Sequence, residues 1–93
     1  MATYAYGIIL YPEKDGTYTV DIPDLQIGTQ GENIADCIAM ARDAIGIWGI
    51  ATQDDNEEIP APSGIITCPE PDAIVTYVDI DFDAYRSANE KRG

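Results

Sequence analysis

The residues best placed to do chemistry are three aspartates that alternate near the carboxyl end of the chain: Asp79, Asp81 and Asp83. Alternating carboxylates can open a calcium-binding loop, and Glu90 stands at the twelfth position of such a loop. The sixth position needs a glycine for its sharp turn, and here it is Ala84. We therefore expect no metal at these residues and interpret them as solvated charges at the end of a strand.

The same aspartates could instead belong to a nuclease, since clustered acids hold two metal ions in such enzymes. No basic residue near them could hold a substrate phosphate. The chain also contains no histidine, which removes the usual general base, the histidine-dependent triads and imidazole-based metal sites. The sequence therefore predicts a protein that is not an enzyme, with no catalytic residues and no cofactor.

The strands that must position these residues are predicted from side chains that alternate along the chain. From Tyr4 to Tyr11 both faces of the alternation are apolar, which indicates a strand covered on two sides or one whose outer face meets a partner. Pro12 to Gly16 has the chemistry of a hairpin turn. Further strands are expected at 17–22, 25–29 and 73–81, and the first of these has one face exposed to solvent.

One main helix is predicted after Asn33, whose side chain can accept a hydrogen bond from the first turn. Its apolar stripe is expected to pack on the sheet and consists of Ile34, Ile38, Ala41, Ile45 and Trp48. Gly46 and Gly49 each lower the helix propensity by roughly 1 kcal/mol relative to alanine, so we expect a neighbour whose backbone approaches closely there; fraying of the helix end is the alternative. Residues 53–72, with four prolines and six acids, are predicted to form a long acidic loop. A short helix is expected from about Asp83.

The charge balance is strongly negative, because 17 acidic and 5 basic residues give a formal net charge of -12 at pH 7. Residues 1–85 hold 16 of the acids and only 2 of the basic residues. This body lacks the basic face that nucleic-acid phosphates need, so we expect no direct binding of nucleic acid. A negative field of this kind steers a basic protein toward it. Solubility alone is the alternative interpretation.

The compartment follows from length and composition. At 93 residues and 45% apolar side chains, the chain is expected to be one packed domain. No signal peptide is evident, and no stretch reaches the roughly 20 apolar residues of a membrane span. Cys37 and Cys68 form no CxxC motif, which indicates a reducing compartment. We predict a cytoplasmic protein that does not bind membranes.

Several motifs occur in a fixed order along nearly the whole chain. They are Tyr11-Pro12, Gly16-x-Tyr18-x-Val20-x-Ile22-Pro23-Asp24-Leu25, Thr29-x-Gly31, the helical residues Ala35, Ala41, Ala44 and Trp48, Ile59-Pro60-x-Pro62-Ser63, and Val78-Asp79-Ile80-Asp81-x-Asp83-Ala84-Tyr85. In this order they resemble the HicB family of antitoxins. The resemblance implies an α+β fold of β-β-β-α-β order, in which a three-stranded antiparallel sheet and a further C-terminal strand pack on one main helix, similar to part of ribonuclease H.

The resemblance also implies a partner. HicB proteins bind and neutralise HicA, a small basic mRNA-cleaving toxin, and form homo-oligomers, here a dimer or tetramer. Family members continue into a DNA-binding domain, whereas this chain stops at Gly93. We therefore expect an antitoxin domain at 1–85 and a short tail at 86–93, with the DNA-binding domain absent. The alternative is an orphan oligomeric structural or regulatory domain without a toxin partner.

The candidate partner-binding residues are an acidic stretch and one tyrosine. An acidic stretch could meet the basic face of a toxin and fill its RNA channel with carboxylates, and it consists of Asp54, Asp55, Glu57 and Glu58. The alternative for this stretch is a solvated loop. Tyr11 lies on the second face of the first strand, where its ring offers a large area with a polar edge. The other aromatic residues that could be interface anchors, with core packing as the alternative, are Tyr4, Tyr6, Tyr18 and Trp48.

Overall fold

The architecture is a four-stranded antiparallel sheet packed against one long helix, as seen in a computed structural model that describes residues 3–64, 66–67 and 70–90. The elements are β1 (Thr3–Pro12), β2 (Tyr18–Ile22), β3 (Ile27–Gly31), α1 (Ile34–Asp54), β4 (Ile74–Asp81) and α2 (Phe82–Glu90). The strand order is β3-β2-β1-β4. This arrangement confirms the predicted α+β fold and its β-β-β-α-β order. None of the helices in the described residues is long and apolar enough to span a membrane.

The central strand β1 sends alternate side chains to opposite sides of the sheet, as the two-residue period of a strand requires. Tyr6, Ile8 and Leu10 face α1 and are fully buried. On the outer face, Ile9 lies opposite Asp21 of β2 and Val75 of β4, and it is 3% exposed. Both faces of β1 are therefore covered from Tyr6 to Leu10, whereas Ala5, on the outer face, is exposed.

The cover on the outer face comes from the loop between α1 and β4, residues 55–73, which we call the connecting loop. On that face the Tyr77 hydroxyl donates a 3.2 Å hydrogen bond to the Gly64 carbonyl. On the side that faces α1, the Tyr6 hydroxyl donates one to the Pro60 carbonyl of the same loop at 2.6 Å. A Cβ on Gly7 would lie 2.0 Å from Ile66 Cγ1. Ile66 thus rests directly on β1, and only a glycine leaves room for it.

Helix α1 begins as predicted. The Asn33 side chain accepts a 2.8 Å hydrogen bond from the Asp36 amide, and the Asp36 carboxylate accepts one from the Glu32 amide at 2.9 Å. The stripe that packs on the sheet is partly different from the predicted one. Ala41 and Ile45 are buried as expected, whereas Ile34, at the first helical position, is 43% exposed.

The third strand starts two residues later than predicted, at Ile27 and not at Leu25. The amides of Leu25 and Gln26 donate to the Ile22 carbonyl at 3.2 and 3.0 Å, which makes a tight turn. Gln26 takes a φ of 57° to leave that turn, a conformation that few residues other than glycine adopt. Leu25 therefore belongs to the turn, where its side chain is buried in the core.

The two helices meet at the two glycines of α1. A Cβ on Gly49 would lie 2.1 Å from Phe82 Cε1, and one on Gly46 would lie 2.6 Å from Tyr85 Cε2. The predicted close neighbour is therefore confirmed, but it consists of two aromatic rings of α2 and not of another backbone. Through this contact the rings of α2 lie directly on the surface of α1.

Candidate partner-binding surface

The predicted acidic stretch lies where α1 ends, and its backbone is held by ordered hydrogen bonds. The amide of Asp55, the residue after the last helical position, donates to the Ala51 carbonyl at 3.1 Å. Asn56 has a positive φ of 61° and reverses the chain. The Glu57 amide then donates to the Thr52 carbonyl at 3.0 Å. These bonds order the backbone that carries the four carboxylates, so the acidic stretch is an ordered turn.

These carboxylates stand at an end of the helix where the local electrostatics oppose them. The helix macrodipole places partial negative charge at the C-terminus, and each charge in the last turn changes the stability by typically 0.3–1 kcal/mol. α1 has no basic residue in its last turn. Placing acids here is therefore unfavourable for the isolated domain, and a cationic surface that docks on them would relieve the repulsion.

One counter-ion comes from α2. Arg86 Nη2 lies 2.9 Å from Asp54 Oδ1 and 3.2 Å from the Gln53 side-chain oxygen. In the part of the chain that the structure describes, Asp55, Glu57 and Glu58 are exposed and have no ion pair. Negative charge therefore predominates in this group.

A depression of about 730 Å³ adjoins the carboxylates and brings aromatic and apolar surface beside them. Its lining is Tyr4, Gln53, Glu57, Glu58, Ile59, Pro60 and Ala61. Tyr4 is held by edge-on ring contacts with Tyr6, at 5.9 Å between centroids, and with Phe82, at 5.8 Å. We call the four carboxylates with this depression the acidic end. It combines charge with a rigid ring, as protein-binding surfaces often do.

Tyr11 does not belong to the acidic end. It is half-buried on the outer face of the sheet, opposite Thr19 of β2, near the carboxyl end of β1. Tyr4 is near the other end of the strand, seven residues away, which at about 3.3 Å per residue separates them by roughly 23 Å. The structure therefore groups the four predicted acids and leaves the predicted tyrosine at the opposite end of the molecule. No pattern in the sequence could have added Tyr4 to the acids, since the contact joins residues about 50 positions apart.

Two of the alternating aspartates, Asp79 and Asp81, accept hydrogen bonds within the domain. Arg42 of α1 reaches over β4 and donates to the Asp79 carboxylate and to its carbonyl oxygen, both at 2.9 Å. The hydrogen bond and charge of Arg42 lower the pKa of Asp79. The Asp81 carboxylate accepts a 3.0 Å hydrogen bond from the Ala84 amide in the first turn of α2. Among the described residues no group of acids, cysteines and histidines could hold a metal ion.

Cys37 is one of the two cysteines of the chain and carries a free thiol. Cys37 is fully buried beneath the sheet-facing side of α1, and burial, with Asp36 nearby, raises the pKa of its thiol. A raised pKa keeps the thiol protonated and poorly reactive. Cys68 lies outside the described residues.

Comparison with known proteins points to one family. The family model of the HicB-like antitoxins of bacterial toxin–antitoxin systems matches residues 6–92. A chain of a toxin–antitoxin complex from Streptococcus pneumoniae is similar in structure, with a TM-score of 0.72 and 22% identity. The match covers 90% of this chain and 73% of that chain. The N-terminal domain of the Burkholderia pseudomallei antitoxin HicB is similar over 83% of this chain and 98% of its own, with a TM-score of 0.65 and 22% identity. No curated protein matches the chain.

Proposed function

The chain belongs to the HicB-like antitoxins of bacterial toxin–antitoxin systems, and from this we propose that it binds and neutralises a small basic mRNA-cleaving toxin of the HicA type. The observation that carries the proposal is the acidic end. There, four carboxylates leave a fixed turn beside a rigid tyrosine ring, and three of them lack a described counter-ion. A surface that binds RNA must carry positive charge, and the acidic end is complementary to such a surface.

In this proposal the antitoxin neutralises the toxin by occupying its RNA-binding surface. The carboxylates of Asp55, Glu57 and Glu58 take the positions on the toxin where RNA phosphates would bind, so the substrate is excluded and no chemistry is required of the antitoxin. Complementary charge also accelerates encounter, to about 10⁸–10⁹ M⁻¹s⁻¹ at low salt against about 10⁵–10⁶ M⁻¹s⁻¹ for neutral surfaces. Fast capture suits a protein that must intercept a toxic nuclease.

The protein acts in the cytoplasm as a homo-oligomer, a dimer or tetramer, without enzymatic activity, cofactor, or direct contact with nucleic acid or membranes. Self-association is supported by the outer face of the edge strand β4, where Val75 and Tyr77 are 39% and 47% exposed. Tyr11 stays a predicted contact on a separate surface.

The test uses the small basic product of the neighbouring reading frame as the toxin. Calorimetry should show binding to the antitoxin, and an RNA-cleavage assay should show inhibition at equimolar ratio. The variant Asp55→Asn/Glu57→Gln/Glu58→Gln should lower the association rate by roughly tenfold at low salt. Its matched control is Glu32→Gln/Asp72→Asn/Asp83→Asn, which removes the same three charges elsewhere and should have a smaller effect.

Two results would contradict the proposal. Absence of binding to the wild-type protein, or binding that leaves RNA cleavage unchanged, would remove the antitoxin function. Equal effects of the two triple variants would show that net charge alone matters and that the acidic end is not the contact surface.

A further inference from the structure

The solvent side of α1 carries a second stripe, different from the one that packs on the sheet. Carboxylates and apolar side chains follow one another at spacings of four, three, four, three and four, and we call them the outer stripe: Asp36, Met40, Asp43, Ile47, Ile50 and Asp54. At about 100° per residue they fall within one side of the helix. The buried residues Cys37, Ala41 and Ile45 lie on the opposite side.

Two of the three apolar members of the outer stripe are open to solvent, and the third, Ile50, is half-buried. Ile47 is 58% exposed, the highest value among the large apolar side chains that the structure describes, and Met40 is 39% exposed. Beside Ile47, a groove of about 270 Å³ runs between the two helices, lined by Ile47, Ile50, Ala51, Asp54 and Tyr85. Exposed apolar surface with a polar rim marks an interaction site.

The rim is acidic and is held in place. The Tyr85 hydroxyl donates a 2.5 Å hydrogen bond to the Asp43 carboxylate, and the Asp36 carboxylate accepts from the Glu32 amide. Both donors are neutral, so these bonds orient the carboxylates without cancelling their charge. Asp54, whose charge is paired with Arg86, closes the groove at its end.

The spacing identifies the shape of the occupant. Alternating steps of four and three are those of a coiled-coil seam, in which apolar knobs of one helix enter holes on another. The outer stripe has the spacing of one side of such a seam, with apolar side chains at three of its six positions and aspartates at the other three. The occupant that fits it is a helix with the same period.

The charges identify the chemistry of the occupant and exclude a second copy. If two outer stripes paired in parallel, each carboxylate would meet its own equivalent. If they paired antiparallel about the stripe's centre, Asp36 would meet Asp54. Either arrangement sets like charges against each other between chains that each carry -12. We propose that the outer stripe docks a basic amphipathic helix of a partner protein, with lysine or arginine facing the aspartates and an aliphatic side chain on Ile47.

This inference rests on the proposed function in taking the partner to be basic, but peptides can test it without a toxin. Three synthetic 21-residue helices with a heptad seam serve as probes: one alternates leucine and lysine, one leucine and glutamate, and one serine and lysine. Fluorescence anisotropy should show binding of the leucine–lysine helix to the wild-type protein. The leucine–glutamate helix should not bind, and the serine–lysine helix should bind at least about tenfold more weakly.

The protein variants are chosen as a matched pair. Ile47→Asp should weaken binding of the leucine–lysine helix at least about tenfold, because it removes the exposed apolar contact. Ile34→Asp makes the same change on the same helix at a position that is 43% exposed and outside the outer stripe, and should bind like the wild type. Met40→Asp replaces Ile47→Asp if circular dichroism shows that the latter does not fold.

Each contrary outcome has its own meaning. Equal binding of the leucine–lysine helix to Ile47→Asp and Ile34→Asp, or equal binding of the leucine–lysine and serine–lysine helices, would overturn the docking site. A change in oligomer mass caused by Ile47→Asp would show that the stripe pairs two copies, and would overturn it too. A toxin that is neutralised equally by wild type and Ile47→Asp would overturn the docking site but leave the proposed function. A toxin that never binds, while the peptide does, would remove the proposed function alone.

Discussion

Replacing Gly49 by alanine tests whether the close contact between α1 and α2 is as tight as the structure shows. The added Cβ would lie 2.1 Å from Cε1 and 2.6 Å from Cδ1 of Phe82, and contacts this short force the ring to move. Phe82 is 4% exposed and belongs to the core, so the ring has no solvent to retreat into. The substitution should therefore strain the core.

Two opposing contributions set the size of the effect. Alanine raises the helix propensity of α1 by roughly 1 kcal/mol relative to glycine. Overpacking a filled core costs roughly 1–3 kcal/mol. Gly49→Ala should therefore lower the free energy of unfolding by up to about 2 kcal/mol. In a Phe82→Ala background the clash is gone, and the same substitution should raise the free energy of unfolding by up to about 1 kcal/mol. The two positions should thus be coupled by about 1–3 kcal/mol.

The assay is urea unfolding of the four proteins of this double-mutant cycle, followed by circular dichroism and by Trp48 fluorescence. Trp48 is half-buried against the core and should report its opening. The decisive comparison is the sign of the effect of Gly49→Ala in the two backgrounds. If the substitution stabilised both by the same amount, the Phe82 ring would not lie on Gly49, and the packing of α2 described above would be wrong.

Two further substitutions test the connecting loop. Tyr6→Phe removes the hydrogen bond to Pro60 and should cost roughly 1 kcal/mol at neutral pH. Burial, with Tyr4 and Asp24 nearby, raises the pKa of Tyr6 from 10.0 to about 12. The contribution of the neutral hydroxyl to the free energy of unfolding is therefore complete below pH 10 and is lost as the pH rises toward 12. Unfolding measured at several pH values should detect this loss in the wild type and not in Tyr6→Phe. Gly7→Ala should push Ile66 off the outer face, and proteolysis of the connecting loop should accelerate; an unchanged cleavage rate would show that Ile66 does not cover β1.

Much of the fold could be predicted because it depends on local patterns. The two-residue alternation of β1 and β4 indicates strands regardless of what they pack against, and the Asn33 cap marks the start of α1 at the residue where the helix begins. The glycines of α1 also predicted a close neighbour. What they could not reveal was its nature, since the rings of Phe82 and Tyr85 come from a helix more than 30 positions away.

The parts that were missed depend on tertiary contacts. The third strand begins later than predicted because Gln26 adopts a positive φ that its residue type does not suggest. The cover on β1 by Ile66 leaves no periodic signal in a loop rich in proline. For the same reason the acidic stretch could be predicted as a surface, but not its union with Tyr4 or its distance from Tyr11.

The outer stripe and the acidic end share one residue, and this joins the two proposed surfaces. Asp54 ends the outer stripe and begins the acidic end, so a basic helix that lies along α1 reaches Asp55 as α1 ends. Exposed charges at a rim act mainly on the rate of association, whereas buried apolar contacts act on the rate of dissociation. The acidic end then guides the partner into place, and Ile47 in its groove retains it.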